Sequence, residues 1–358
     1  MTKNILLYTF LLTFLLQSCT GQHKKESVNK TTATDSIKKE QLVTPNNTAP
    51  FSFVSNGPIS QVVRTIFQDS KGILWFGGEG GAFKFDNNLL LSMAGIQSET
   101  GKGVTVKAFS EAKDGTIWIA HTDGISSIKG ETVHNYYKSD GLISTDTWCI
   151  AVDAQDKIWI GTIDGLCIFD GTTFTTLELP EGVKDTSVGI SSTKMIHAIL
   201  EDHNGKIWIA SNAGLFSYTD NQLVNESKQF GITTPFVTKL FEDSKGNLWI
   251  STKEGLYVAK EGVAQNLTRV KIEIGKGIGS VAEAKDGTIW IVANQHFLYT
   301  YDGKELKEFE QKEEEGIKRP VPFEIYKDQK ERLWLVGFGG ASRLENGTFI
   351  PVTKNGPW

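Results

Sequence analysis

One tryptophan recurs seven times in nearly identical surroundings, as Trp75, Trp118, Trp159, Trp208, Trp249, Trp290 and Trp334, at intervals of 43, 41, 49, 41, 41 and 44 residues. A period of about 40–50 residues is that of a four-stranded blade in a radial array of sheets. Around each tryptophan the pattern is acid-x-x-Gly-x-x-Trp-aliphatic, as in Asp69-Ser70-Lys71-Gly72-Ile73-Leu74-Trp75-Phe76 and Asp202-His203-Asn204-Gly205-Lys206-Ile207-Trp208-Ile209. From residue 51 onward the segments are short, rich in glycine and aromatics, and separated by turn residues, with no helical periodicity. That is an all-β pattern. The expected fold is a seven-bladed β-propeller of four-stranded antiparallel blades.

Blade four shows how the pattern maps onto strands. Met195–Glu201 reads as innermost strand A, Asp202–Gly205 as a turn, and Lys206–Ala210 as strand B with Trp208. Leu215–Tyr218 reads as strand C, and a weaker strand D follows Asp220-Asn221. Gly205 suits the positive φ of a tight turn, and an aspartate ahead of it hydrogen-bonds turn amides. The tryptophan is then expected between blades. The Asp-x-x-Gly turn resembles the Asp-box of sialidases, which is a turn device; it offers too few oxygens for a calcium loop. Blades two and six carry Ala112 and Ala284 at the acid position, blades three and seven carry Asp156 and Glu331 at the glycine, and His296 replaces a later glycine in blade six. Phe51–Ser55 and Thr348–Thr353 both have the pattern of an outer strand. One of them completes the seventh blade, and the sequence leaves open whether the other adds a fifth strand.

Three regions are expected: residues 1–18 a signal peptide, 19–50 a flexible tether, and 51–358 the propeller. Lys3 is followed by an apolar run from Ile5 to Leu16 and then by Leu16-Gln17-Ser18-Cys19. The tetrad resembles a bacterial lipobox, which implies a lipidated Cys19 as first residue after cleavage. Residues 20–50 are too polar to offset chain entropy by burial. These features predict a lipoprotein on the outer membrane, or facing the periplasm, of a Gram-negative bacterium, held to the membrane only by its N-terminal lipid. Of three cysteines, Cys149 and Cys167 remain, placed on strands A and C of one blade. Two strand spacings separate them, beyond disulfide reach, so two buried thiols are expected. A net charge of −5 argues against nucleic acid as partner.

Trp159-Ile160-Gly161-Thr162-Ile163-Asp164-Gly165-Leu166 and Trp249-Ile250-Ser251-Thr252-Lys253-Glu254-Gly255-Leu256 resemble the two-component regulator propeller repeat. The resemblance covers residues 51–358. It implies a sensor-like or ligand-binding propeller, for a glycan or a protein partner, here on a lipid anchor; kinase activity is not expected of these residues. The Gly-x-x-Trp-Phe-like repeats also resemble those of virginiamycin B lyase, a seven-bladed propeller. It keeps an alternative open, a lyase or hydrolase with its site at the central channel mouth.

Propellers bind ligands on the face where loops enter strand A and join B to C. Eleven residues before each tryptophan stand Arg64, Lys107, Trp148, His197, Thr238, Gly279 and Phe323. Nine before stand Ile66, Phe109, Ile150, Ile199, Leu240, Val281 and Ile325. The uniformly apolar row reads as core, and the varied row as channel lining. Arg64, Lys107, Trp148 and His197, with His121 on a B–C loop, are the candidate ligand contacts. An aromatic face beside cationic donors suits a carbohydrate, an anionic one especially. The same row also fits ordinary strand starts with their tips in water. Histidines 121, 197 and 296 are scattered over three blades, so no metal site is expected, and neither a cofactor nor a catalytic residue is assigned. Leu177–Lys194 is long enough for a lid over this face, and Glu313-Glu314-Glu315 reads as a solvated run in another link.

Overall fold

The turn between strands A and B is the unit from which the ring is built. In blade four the Asp202 carboxylate accepts the amides of Asn204 at 2.9 Å and Lys206 at 3.0 Å through Oδ1, and the Trp208 indole N–H at 2.8 Å through Oδ2. One side chain thereby satisfies the turn and pins the tryptophan rotamer. Asp69, Asp153, Asp243 and Asp328 hold Trp75, Trp159, Trp249 and Trp334 in the same way, at 2.8–3.0 Å. In blades two and six, where alanine leads, an aspartate two residues later caps the turn: Asp114 accepts the Thr116 amide at 2.9 Å and Asp286 that of Thr288 at 3.0 Å. The two residues that stand in for glycine, Asp156 and Glu331, take the left-handed conformation with φ of 60° and 63°.

The protein is represented by a computed structural model that describes residues 51–53, 59–268, 277–294, 296–311, 319–353, 355, 356 and 358. The expected leader, Cys19, the tether, Val54-Ser55 and Glu313-Glu314-Glu315 lie outside the described residues. Seven antiparallel sheets follow one another. Their innermost strands are Val63–Gln68, Val106–Glu111, Thr147–Val152, Ile196–Glu201, Val237–Glu242, Ile278–Glu283 and Val321–Lys327. Each of these packs on the next, and the seventh on the first, which closes a seven-bladed β-propeller. A single 3-10 turn, Lys138–Asp140, is the only helical element among the described residues, and none of them forms a helix able to cross a membrane.

Each repeat tryptophan is 7 % exposed or less and packs against strand B of the following blade. Trp75 meets Ile117 and Ile119, Trp208 meets Leu248 and Ile250, and Trp334 meets Leu74 and Phe76 of blade one. The indole is thus the wedge between twisted sheets. Removing one costs about 3–5 kcal/mol. A second device ties the seams on the turn side. The residue after the leading acid donates its amide across the seam: Ser70 to Glu111 at 2.7 Å, Ala154 to Glu201 at 2.7 Å, His203 to Glu242 at 2.9 Å and Ser244 to Glu283 at 2.7 Å. Asp156 accepts from Lys113 at 3.0 Å in blade three, and Gln68 from Gln329 at 2.6 Å where blade seven meets blade one. In blade seven this acceptor position holds Lys327, paired instead with Glu331 at 3.3 Å.

The open question of closure is settled by strand pairing. Thr348–Val352 is the fourth strand of blade seven, and Phe51–Phe53 adds a fifth to blade one beside Leu89–Met93. No strand is exchanged between first and last blades among the described residues. The join rests on the Trp334 wedge, on Gly339 donating to the Gln61 carbonyl at 2.9 Å, and on Trp358 stacking 3.9 Å from the Phe85 ring. Cys149 and Cys167 are buried free thiols on strands A and C of blade three, with strand B between them. Burial pushes the Cys149 thiol up to about 12.

Candidate functional site

The row of seven residues eleven before each tryptophan has a backbone cause. In every blade the A–B register slips at this point: between Val63 and Thr65, Val106 and Ala108, Thr147 and Cys149, Ile196 and Ala198, Val237 and Lys239, Ile278 and Val281, and Pro322 and Glu324. A bulge places an extra residue outside the ladder and re-aims its side chain. Arg64, Lys107, Trp148, His197, Thr238, Gly279 and Phe323 are those extra residues, and each is half-buried. They form a rim at the end of the channel where the chain enters strand A. The row nine before each tryptophan is packed as expected, with Ile66 and Ile325 at 2 % exposure, although Ile199 and Leu240 are only half-buried.

Four of the rim residues are linked side to side. The Arg64 guanidinium lies 5.2 Å from the centre of the Phe323 ring, which packs in turn on Phe338 at 4.8 Å. Arg64 meets Glu79 at 3.4 Å, and its Nε is buried without a partner among the described residues. The Lys107 ammonium stands 3.8 Å above the Trp148 ring. Asp146 holds both, pairing with Lys107 through Oδ1 and accepting the Trp148 indole N–H through Oδ2 at 3.1 Å. Burial lowers the Lys107 pKa, Asp146 opposes this, and the Arg64 charge lowers it further. One cation is therefore held against an aromatic ring between blades two and three. Such an arrangement is prepared for an anionic or polar ligand before it arrives.

His197 is engaged differently. Its Nε2 lies 2.7 Å from Asn212 Oδ1, and burial lowers its pKa, so the neutral ring donates to the amide. Asn212, fully buried, donates in turn to Ser191 Oγ at 3.0 Å and the Ser192 carbonyl at 2.6 Å. These serines belong to the long link between blades three and four. The link folds as a strap across the face to blade five, where Asp185 pairs with Lys253. Lys253 also donates to Ser187 at 2.6 Å and sits 4.8 Å over the Phe236 ring. Val183, Val188 and Ile190 on the strap are about half exposed. Gly182 is required at the crossing, since a Cβ there would lie 1.9 Å from the Asn212 carbonyl oxygen.

His121 does not belong to the rim. It is fully buried, with Nε2 3.0 Å from Ser126 Oγ and Nδ1 accepting the Asp123 amide at 3.2 Å. Burial pushes its pKa down to about 4. The expected loop-tip contact is instead an interior hydrogen-bond bridge, because the B–C turn folds inward over it. Thr238 donates to the Ile278 carbonyl at 2.9 Å and closes a seam. His296 contributes its carbonyl to Arg319 at 2.7 Å. Among the described residues no three histidine, cysteine, aspartate or glutamate side chains converge to hold a metal ion. Asp146, Asn212, Asp185 and Lys253 were not legible as site residues, because they lie in links that break the period.

Four segments, residues 57–80, 141–164, 189–213 and 231–254, match the two component regulator propeller. A comparison with curated proteins finds no match. Among solved structures the chain is similar to the extracellular domain of the B. thetaiotaomicron hybrid two component system BT4673, with TM-score 0.64, 19 % identity, and cover of 82 % of this chain and 39 % of that one. It is similar also to the corresponding domain of BT3049 from the same organism, with TM-score 0.60 and 21 % identity over 82 % and 41 %. The virginiamycin B lyase of Staphylococcus aureus, solved with quinupristin, matches with TM-score 0.53 and 14 % identity over 69 % and 84 %. The chain thus spans about two fifths of each B. thetaiotaomicron domain, and at these identities the likeness is one of fold.

Proposed function

We propose that this chain is an extracytoplasmic recognition module, anchored through a lipid on Cys19, whose propeller rim captures a glycan or a protein partner without transforming it. The leader-like N-terminus and the extracellular setting of the B. thetaiotaomicron propellers support the location. The observation that carries the reading is the clamped set Lys107, Asp146 and Trp148, with Arg64 on the bulge of the preceding blade. A cation and an indole are held in fixed relation on half-buried bulges, where packing alone requires neither. Fixing such groups in advance reduces the ordering cost of binding. His197, the histidine among the described rim residues, is committed to Asn212, which favours recognition over the lyase or hydrolase alternative.

A glycan array and an envelope-extract pull-down with residues 50–358 test the proposal. The Arg64→Ala/Trp148→Ala double variant is expected to lose the captured ligand by a factor on the order of 100, as two stacking or charge-assisted contacts are removed. Unchanged capture by a folded double variant would remove the rim from the function.

A further inference from the structure

Four residues after each tryptophan, where strand B gives way to its turn, stand Glu79, Thr122, Ile163, Asn212, Lys253, Asn294 and Phe338. In three blades this position touches the bulge residue of the same blade. Arg64 meets Glu79 at 3.4 Å, His197 meets Asn212 at 2.7 Å, and the Phe323 and Phe338 rings lie 4.8 Å apart between centres. Blade seven alone carries a ring in both rows. Phe338 is 50 % exposed, yet its backbone is fixed from both sides. It pairs with Val321 in its own blade and bridges to Val62 at the entry to blade one, and the next residue, Gly339, donates to Gln61. The exposure of this phenyl is therefore a property of the scaffold and not of a loose loop. Behind it Phe323 is tilted by 52° and has the Arg64 guanidinium 5.2 Å from its centre. The same face is apolar elsewhere. Eight large apolar side chains are exposed among the described residues. Val183, Val188, Ile190, Phe297 and Phe338 lie on the rim face, and Leu89, Val224 and Val263 on outer strands.

We propose that the rim face docks a protein partner, and that Phe338, backed by Phe323, receives an aromatic side chain of that partner at the seam closing the ring. This rests on the reading of the rim as the contact zone and chooses between its two ligand classes. A sugar stacked on Phe338 needs hydrogen-bonding groups around its edge. Neither phenyl supplies one, and Arg64 and Glu79 at this seam are paired with each other. Aliphatic side chains on the strap give the hydroxyls of a glycan nothing, whereas a protein surface buries them along with the phenyl. A third ring extends a pair that already has the tilted geometry aromatic groups favour. Arg64, on the bulge between Phe323 and Lys107 in blade order, makes the aromatic station continuous with the Lys107–Asp146–Trp148 clamp, so one partner surface spans both.

The test reads Phe338 directly, in the full chain carrying para-fluorophenylalanine, the resonance being assigned by its loss in Phe338→Leu. N-acetylphenylalaninamide, N-acetylleucinamide, methyl glucoside and glucuronate are titrated at constant ionic strength. A saturable shift with the phenylalanine amide is expected, a weaker one with the leucine amide, and none with the sugars. No saturable shift with the phenylalanine amide would overturn the station, as would tighter binding of the leucine amide or of either sugar. In the envelope pull-down, Phe338→Ala should weaken capture of the partner protein on the order of tenfold, and Val224→Ala on an outer strand should leave it unchanged. A glycan captured in place of a protein overturns the partner class. Dimerisation of the purified chain that is lost in Phe338→Ala overturns it too, in favour of a second copy. If Phe338→Ala captures as wild type while Trp148→Ala fails, the station falls and the clamp stands. The reverse removes the clamp and keeps the station. Melting curves of Phe338→Leu and Phe338→Ala confirm that each variant is folded before its binding is read.

Discussion

Replacing Asp202 by alanine tests whether the leading acid of the repeat is the keystone of its blade. The carboxylate accepts three hydrogen bonds, from the Asn204 and Lys206 amides and the Trp208 indole. Trp208 is 6 % exposed, so its N–H loses a partner where water is scarce, at about 1–3 kcal/mol. The two turn amides lie nearer solvent and rehydrate, for about 0.5–1 kcal/mol each. The variant should be less stable by about 2–4 kcal/mol, which lowers the thermal midpoint by roughly 5 °C for a domain of this size. Blades two and six supply the internal control, because Ala112 and Ala284 already stand at this position with Asp114 and Asp286 capping the turn. Adding Asn204→Asp to Asp202→Ala recreates that arrangement and should restore about 1 kcal/mol by recapping residue 206. The indole remains unpaired, so recovery is partial. A loss under about 1 kcal/mol, or full rescue by Asn204→Asp, would refute the claim that the indole bond matters. Urea titration followed by tryptophan fluorescence reads all three proteins.

Ala112→Asp should stabilise blade two by about 0.5–1 kcal/mol, measured the same way, by giving the Trp118 indole the acceptor it has in five other blades. Glu331→Gly should raise the melting midpoint slightly, since φ of 63° strains a side chain by about 1 kcal/mol and the exposed Lys327 pair returns little. His121 gives an acid limb: its ring titrates at about 4 when folded and near its ordinary 6.5 when unfolded, so the unfolded chain binds more protons between these values. Stability should therefore rise with pH from about 4 to 6.5, by about 3 kcal/mol from this group, and His121→Gln should flatten that limb of a melting-versus-pH series. His197, lowered by burial, acts in the same direction. Asp185→Asn should free the strap from Lys253, seen as faster amide exchange confined to residues 182–193 while the blades keep their protection. Equal exchange in wild type and variant would show that Asn212 alone holds the strap.

The interval between tryptophans, the acid and glycine of the turn and the apolar row were enough to read seven blades, because each is a packing demand that every repeat must meet. Strands of blade four fall within a residue of their expected ends. The two ends of the chain were ambiguous for a physical reason: Phe51–Ser55 and Thr348–Thr353 have the same strand character, and only tertiary pairing chooses between them. The seam clamp was missed although Gln68, Glu111, Glu201, Glu242 and Glu283 recur seven before the tryptophan. An acidic residue at a strand end reads locally as solvated, and its partner is forty residues away. His121 was misplaced for a similar reason. Its position at a B–C turn implies exposure in an isolated hairpin, whereas Ser126 and the inward fold of that turn enclose it.

The rim marks the place where these packing demands stop. At the rim strand A has slipped register, so the extra residue does not pair in the ladder, and its side chain varies from glycine to tryptophan. Below it five of the seven residues are small, and lysine and glutamate stand at the other two positions. A site in a closed ring of near-identical blades has to arise from such released positions, because every other inward position is repeated seven times. Arg64, Lys107 and Trp148 all occupy released positions. Two of them, Lys107 and Trp148, are fixed by Asp146 from outside the repeat. That addition is hard to explain as packing. An aspartate that binds a lysine and an indole at once lowers the freedom of both, which gains nothing for blade stability that a threonine at the bulge, as in blade five, would not supply. Asp146→Ala should accordingly leave the melting midpoint within about 2 °C of wild type while weakening capture at the rim. A fall as large as that of Asp202→Ala would instead assign Asp146 to the scaffold.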